Sequence, residues 1–195
     1  GIQVRRLDGA MRTLARSKTL CTITKANRPS TVHRPVPLDY IGIKTFDLAG
    51  RVTGEHRILG LWAASAYYRS PASIPLLLRK VAQLIRHFDL PAETHDARAL
   101  LHALEEYPRD ELFQASVDEL IPTIRGIVNL YDRRLVRVFV RRDCFRRFWS
   151  CLLYIPRDTY STSAQQKIVQ IVSTLLHGSS VESRVSLSES PLAQL

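Results

Sequence analysis

The spacing of apolar and polar residues changes twice along this chain, near Ser70 and again near Arg134. Before the first change the pattern has a period of two. Thr19 to Lys25 (TLCTITK) sets Leu20, Thr22 and Thr24 against Cys21, Ile23 and Lys25, and its β-branched residues predict a strand. A short helix is expected ahead of it over residues 9–17. Pro29, Pro35 and Pro37 follow, where a ladder cannot run uninterrupted. Leu38 to Asp47 and Thr53 to Ala63 then read as two strands of an antiparallel hairpin, with Asp47 and Gly50 supplying the turn.

From Ser70 the period becomes helical. Ser70, Pro71 and Ser73 are start signals, and apolar residues recur at Ile74, Leu77, Leu78, Val81, Leu84, Ile85 and Phe88, stopping near Asp89-Leu90-Pro91. A second helix over 96–107 places Ala97, Leu100, Leu101 and Leu104 on one face and ends at Pro108. A third begins at Ser116, where Ser116 and Glu119 have the spacing of a capping box. Its apolar face is Leu120, Ile121, Ile124, Ile127, Val128 and Tyr131, and Pro122 inside it predicts a kink or a late start.

After Arg134 the period returns to two. Val136, Val138 and Val140 alternate with Arg137, Phe139 and Arg141 as in a half-buried strand. Phe148 to Ile155 predicts its partner, and Pro156 ends it. Thr159 or Ser161 caps a helix whose inner face is Ala164, Ile168, Ile171, Val172 and Leu175, with Gly178 as its left-handed stop. Val181 to Leu187 predicts one more strand. The order β-β-α-β, cut off before a fourth strand, predicts a small α+β layer structure with one helical face. The fold class expected for the whole is α+β: an antiparallel sheet module, a helical connector, and a partial ferredoxin-like β-β-α-β module.

Composition narrows the class. Of 195 residues 45% are hydrophobic and 24% charged, as in globular chains that bury a core. The N-terminal IQVRRLDGAMRTLARS lacks the apolar core of a signal peptide, and the weakly polar run from Ile58 to Tyr68 is far short of the ~20 residues that span a bilayer. Cys21, Cys144 and Cys151 are odd in number and lack CxxC spacing, against a disulfide framework or a zinc site. A cytoplasmic setting is expected. The chain opens on Gly1, has Met11 as its single Met and stops at PLAQL, which reads as a piece of a longer protein. The net charge of +10, mostly from Arg, suggests an anionic partner, and is equally what a piece shows when its acidic neighbours lie elsewhere.

Motifs that would carry chemistry are scarce. The eight glycines form neither G-x-G-x-x-G nor G-x-x-x-x-G-K-[ST], so the chain has no dinucleotide fingerprint. The six histidines lack metal-ligand spacing; His95 and His102 could share a helix face without a third ligand. Glu105-Glu106 and Asp110-Glu111 flank a helix break, where solvated caps are expected rather than a tuned acid/base pair. Cys151 reads as a buried inert thiol, and Cys144, flanked by Arg142 and Arg146, as one whose pKa those charges could lower. The strongest hint is the basic cluster Arg133, Arg134, Arg137, Arg141, Arg142, Arg146 and Arg147, interleaved with Phe139, Phe145 and Phe148. Arg137, Arg141, Arg142, Arg146 and Arg147 are the candidate anionic-contact patch. Such a cluster can grip phosphates and stack bases, and it can equally solvate an edge hairpin.

Four blocks, VHRPVPLDYIGIKTFD, GEHRILGLWAASAYYRSP, EEYPRDELFQAS and VRVFVRRDCFRRFWSCLLYIPRDTYST, resemble, in the same order, the region preceding the catalytic core of large bacterial NAD-dependent glutamate dehydrogenases. The resemblance covers most of the chain from about Leu14 to Thr162. It implies the end of a PAS-type antiparallel sheet module (1–70), a helical connector (71–133) and a partial ACT-like module (134–195). It implies a parent that oxidatively deaminates L-glutamate to 2-oxoglutarate with NAD, and no catalytic, cofactor-binding or metal-binding residue in this segment. The segment's implied role is regulatory or structural, with the remainder of the parent dehydrogenase as partner, homo-oligomer contacts and an amino-acid effector. Membrane association is not expected. The alternative carried by the residues themselves is an Arg-rich nucleic-acid-binding module. Two positions depart from the family's pattern: Cys144 and Arg146 stand in a hairpin turn suited to Pro and Gly, and Pro122 lies within a helix.

Overall fold

The computed structural model of the chain describes residues 9–131, 133, 135–187 and 192–195. In chain order the elements are α1 (Gly9–Arg16), β1 (Cys21–Pro29), β2 (Pro37–Phe46), β3 (Val52–Gly60), α2 (Ser65–Tyr68), α3 (Pro75–Phe88), α4 (His95–Glu106), α5 (Arg109–Gln114) and α6 (Val117–Tyr131). They continue with β4 (Arg137–Arg142), β5 (Trp149–Pro156), α7 (Thr162–Leu175), β6 (Ser186–Leu187) and β7 (Leu192–Gln194). The chain divides into two compact units. One holds the residues up to 79 with 108–115 and 143–147, the other 80–107, 116–142 and 148–195. Each combines helices with an antiparallel sheet, so the fold class is α+β.

In the first unit the sheet runs β1-β2-β3. Asp47 builds the β2–β3 turn: its Oδ1 accepts the backbone N–H groups of Ala49 (3.0 Å) and Arg51 (2.8 Å), and Gly50 takes φ of 73°. The β1–β2 ladder is interrupted, though ahead of the prolines. Its register shifts between Lys25 and Pro29, then the ladder resumes with Pro29 opposite Pro37. Both places tolerate a missing N–H, because β1 is an edge strand and Pro37 is the first residue of β2.

Burial in this sheet runs against the usual rule. Thr22, Thr24 (1% exposed) and Lys44 (4%) lie on the covered face, together with Gly42. On the opposite face Ile43 and Ile58 are 37% and 53% exposed. The buried apolar side chains of the unit come from its helical parts, among them Leu77, Leu112 and Phe113; no apolar residue of β1–β3 is buried. Trp62, just after β3, stacks on Phe113 of α5 with ring centroids 4.2 Å apart.

In the second unit α4 packs on α6. Thr94 caps α4, its side chain accepting the Ala97 N–H at 3.2 Å. The capping box at α6 forms as expected: Glu119 Oε2 accepts the Ser116 N–H (2.8 Å), and Ser116 Oγ accepts the Glu119 N–H (3.2 Å). Pro122 causes no late start, since α6 already begins at Val117. The buried stripes are narrower than the periodicity suggests. Leu77, Val81 and Leu84 of α3 are buried but Leu78 and Ile85 are exposed; in α4 Ala103 is buried and Leu101 exposed.

The sheet of this unit has the order β4-β5-β7-β6, all antiparallel. Four strands are therefore present, where the pattern suggests a stop after three. The strand expected over 181–187 is confined to Ser186–Leu187, and β7 lies between it and β5. Phe139 takes the inward position of β4: its ring reaches the surface of α6 so closely that a Cβ at Gly126 would lie 2.6 Å away. Val136, Val138 and Val140 are exposed. The inner face expected for α7 is not buried either. The helix has no buried residue, and Leu175 is 72% exposed. Its end is a Schellman turn with the Gly178 N–H donated to Ser173 O at 2.9 Å, and His177 (φ 53°), one residue before the expected Gly178, takes the left-handed position.

Candidate functional site

The most elaborated group of side chains centres on Asp143, in the turn 143–147 between β4 and β5, which belongs to the first unit. Its carboxylate is buried and accepts four donors in addition to the Cys144 thiol: the hydroxyl of Thr24, 119 residues away, the backbone N–H groups of Phe145 (3.1 Å) and Arg147 (3.3 Å), and Arg147 Nε (3.1 Å). Arg147 reaches further, donating to Lys25 O (2.5 Å), Thr24 Oγ1 (3.2 Å) and Asn27 Oδ1 (3.1 Å). Burial alone would push the Asp143 carboxyl up, but the Thr24 and Arg147 hydrogen bonds outweigh it and hold it below the ordinary carboxylate value. Arg146 closes the turn at φ of 59°, a conformation that suits glycine, as the departure from the family's pattern suggests.

A second network lies on the other face of β1 and β2. Lys25 Nζ pairs with Asp39 Oδ1 (2.6 Å) and with Asp110 Oδ2 (3.1 Å) at the start of α5. Asp39 Oδ2 accepts the Trp62 N–H at 2.9 Å, and Tyr67 donates to Asp110 Oδ1 at 3.0 Å. Burial, then the Asp110 charge and hydrogen bond, push the Tyr67 phenol up to about 12. Asp110 is thus an ion-pair partner as well as a first-turn acid, which corrects the expectation of a solvated cap. Lys44 differs again: its ammonium donates to Leu14 O (2.5 Å), Ser17 O (2.8 Å) and Ser17 Oγ (2.9 Å), capping the end of α1. These groups bind one another and hold loops to strands.

The five patch arginines occupy different settings. Arg137, Arg141 and Arg142 stand on β4 opposite Tyr154, Ser150 and Trp149, and the Arg142 guanidinium lies 5.0 Å from the centre of the Trp149 ring. Arg146 is exposed in the turn, and Arg147 is engaged in the Asp143 cluster. Arg133 is exposed; Arg134 lies outside the described residues. Cys144 does not become the low-pKa thiol that its arginine neighbours suggested. Although Cys144 is exposed in the turn, partial desolvation of its thiol and the Asp143 carboxylate, 3.7 Å from its sulfur, push it up to about 11. Cys151 is half-buried. Among the described residues no three His, Cys, Asp or Glu side chains are grouped to hold a metal ion, and no helix is long and apolar enough to cross a membrane.

The second unit carries a shallow groove of about 490 Å³ between α7 and residues 181–183. Gln165, Gln166, Gln170, Ser173, Thr174 and Ser183 contribute uncharged hydrogen-bonding groups to a lining that, with Val169 and Val181, is mostly apolar. Sequence reasoning missed both this groove and the Asp143 cluster. The one sequence signal for the cluster was a strand whose alternation put Thr22 and Thr24 opposite Cys21 and Ile23.

Comparison with known proteins bears on what these units belong to. Residues 74–133 match the profile of the glutamate dehydrogenase helical motif 1, and residues 137–195 that of the glutamate dehydrogenase ACT2 domain. The NAD-specific glutamate dehydrogenase of Pseudomonas aeruginosa is 42% identical over 92% of the chain, and that of Halomonas elongata 38% over 90%. The chain belongs to the NAD-specific glutamate dehydrogenase family. A more distant member, from Mycobacterium tuberculosis, is 32% identical over 71% of the chain. The chain spans 11% of the length of the Pseudomonas and Halomonas dehydrogenases. The sheet, helices and second sheet described above thus correspond to one short stretch of these longer relatives, and residues 137–195, within the four-stranded unit, match the ACT2 domain.

Proposed function

We propose that this segment is a non-catalytic regulatory and structural part of an NAD-specific glutamate dehydrogenase, and that the parent chain oxidatively deaminates L-glutamate to 2-oxoglutarate and ammonia with NAD. The observation that carries the reading is the pair of adjoining family matches in this chain, helical motif then ACT2 domain, together with relatives named NAD-specific glutamate dehydrogenase. The polar clusters fit it, because their side chains are engaged with one another in holding turns and helix ends. The division proposed is a PAS-type sheet module over 1–70, a helical connector over 71–133 and an ACT-like module over 134–195. Its partners are the rest of the parent polypeptide and, in the assembled enzyme, further copies of it, in a cytoplasmic setting.

An amino-acid effector is assigned to the ACT-like module, where the groove along α7 offers amide and hydroxyl groups at the right scale. An anionic contact is assigned to Arg137, Arg141, Arg142 and Arg146. Supplied with glutamate and NAD, the full-length protein produces NADH while the 195-residue chain does not. NADH production by the short chain would overturn the non-catalytic reading. An upward thermal shift of the short chain with one amino acid supports the effector role by mass action on the folded state, and no shift with any of the twenty removes it. The Arg142–Trp149 pair also keeps a nucleic-acid reading testable: a gel shift at low salt that weakens steeply with ionic strength favours it, and no shift eliminates it.

A further inference from the structure

The three-stranded sheet of the first unit is incomplete as a folding layer. Its strands pair well, but a sheet is stabilised by burying the apolar side chains of one face against a second layer. Here the covered face carries Thr22, Thr24, Gly42 and Lys44, held by the Asp143 cluster and by the end of α1. The other face carries two rows fixed by the register, apolar except for the exposed His56. Ile23, Ile41 and Ile58 lie side by side, as do Cys21, Ile43 and His56. The next row, Lys25, Asp39 and Gly60, is where α5 and Trp62 contribute Asp110 and a backbone N–H, so cover stops at that row. None of the apolar side chains in the first two rows is buried, and these rows contain no charged carboxylate, lysine or arginine.

We infer that the face formed by Ile23, Ile41, Ile43 and Ile58 is an interface, and that an aliphatic layer of the same polypeptide, from outside these 195 residues, covers it. This rests on the reading of the chain as part of a larger dehydrogenase. The relatives supply that layer's source, since the chain spans 11% of their length and nearly nine-tenths of each lies elsewhere. The chemistry of the rows specifies the occupant: an uncharged, aliphatic surface rather than a basic or acidic one. Intrachain cover also fits the absence of any buried apolar side chain in β1–β3, because such a sheet depends on a layer that is always present and not on a transient partner.

The test is hydrogen exchange on the full-length protein carrying Ile43→Asp or Ile58→Asp, with Leu48→Asp in the exposed β2–β3 turn as control. Protection of the β2 and β3 amides should fall by at least about tenfold in the two isoleucine variants, the factor expected from losing one buried isoleucine, and not in the control. In the 195-residue chain the same amides should exchange at equal rates with and without the isoleucine substitutions. Unchanged protection in the full-length variants overturns the inference. So does self-association of the 195-residue chain that Ile43→Asp abolishes, which would make a second copy the occupant. Glutamate-dependent NADH production is measured on the same full-length wild type. Its absence would sink the dehydrogenase reading and leave the exchange result standing by itself.

Discussion

Replacing Asp143 tests the polar cluster directly. Asp143→Ala deletes a buried carboxylate that accepts from Thr24, from two backbone N–H groups and from Arg147 Nε. Breaking a buried charged pair by removing one partner costs about 3–5 kcal/mol, and each hydrogen bond to a charged group contributes about 1.5–3 kcal/mol. Arg147 keeps Lys25 O, Asn27 and Thr24 as acceptors, so the lower end applies: about 3 kcal/mol for Ala, and about half of that for Asn, which keeps an acceptor oxygen. Urea unfolding followed by fluorescence reads this out, because Trp62 stacks on Phe113 within the same unit. With an m-value of about 2 kcal/mol/M the Ala midpoint falls by roughly 1.5 M. The pH dependence adds a signature with a definite sign. The native carboxyl is held below its ordinary 3.8, so its contribution is complete above that value and is lost as pH falls through the lower native value. The gap between wild type and Asp143→Asn should therefore be full at pH 6 and shrink below pH 3.8. An Ala variant that unfolds with wild type, or an Asn gap independent of pH, refutes the reasoning.

Lys44→Met takes the ammonium from the Ser17 carbonyl, at a cost of about 1–3 kcal/mol, while the Leu14 carbonyl keeps the Ser17 N–H and hydroxyl; faster amide exchange confined to α1 is the expected result. In a background with Cys21 and Cys151 replaced by Ser, Cys144 should alkylate slowly at pH 8. A thiol pushed from 9.0 to about 11 carries about a hundredfold less thiolate, and Asp143→Asn should raise the rate. Phe139→Ala should cost about 2 kcal/mol in thermal or urea unfolding, less than a fully buried Phe because the ring is half-buried. Its double mutant with Gly126→Ala should be less than additive, since the two positions touch.

Local signals read well from the sequence. The Ser116–Glu119 box, the Asp47 turn, the helices and the two β-hairpins all depend on neighbours within a few residues, and all formed. Most of the misreadings share one cause. Whether an apolar position is covered depends on which layer lies over it, and spacing alone does not say. Ile171 and Leu175 fit a helical face yet stay exposed, while Thr24 and Lys44 are buried because donors and acceptors from distant turns meet them. Asp143 drew no attention in the sequence, because its partner Thr24 is 119 residues away. His177 took the left-handed position one residue ahead of the glycine that propensity favours, because the Schellman bonds fix the position by count from the helix end.

The strand order β4-β5-β7-β6 also has a consequence in time. Leu152 to Pro156 of β5 are buried, yet one edge of that strand is completed only by β7, with Tyr154 opposite Gln194, forty residues later. β6 is synthesised before β7 but, among the described residues, pairs with β7 alone, so it cannot serve as a temporary cover. At about 5–20 residues per second, a nascent chain leaves that aliphatic edge open for roughly 2–8 s. The sheet must therefore be assembled out of synthesis order, and the pace of translation across residues 157–194 sets how long β5 is exposed to wrong partners.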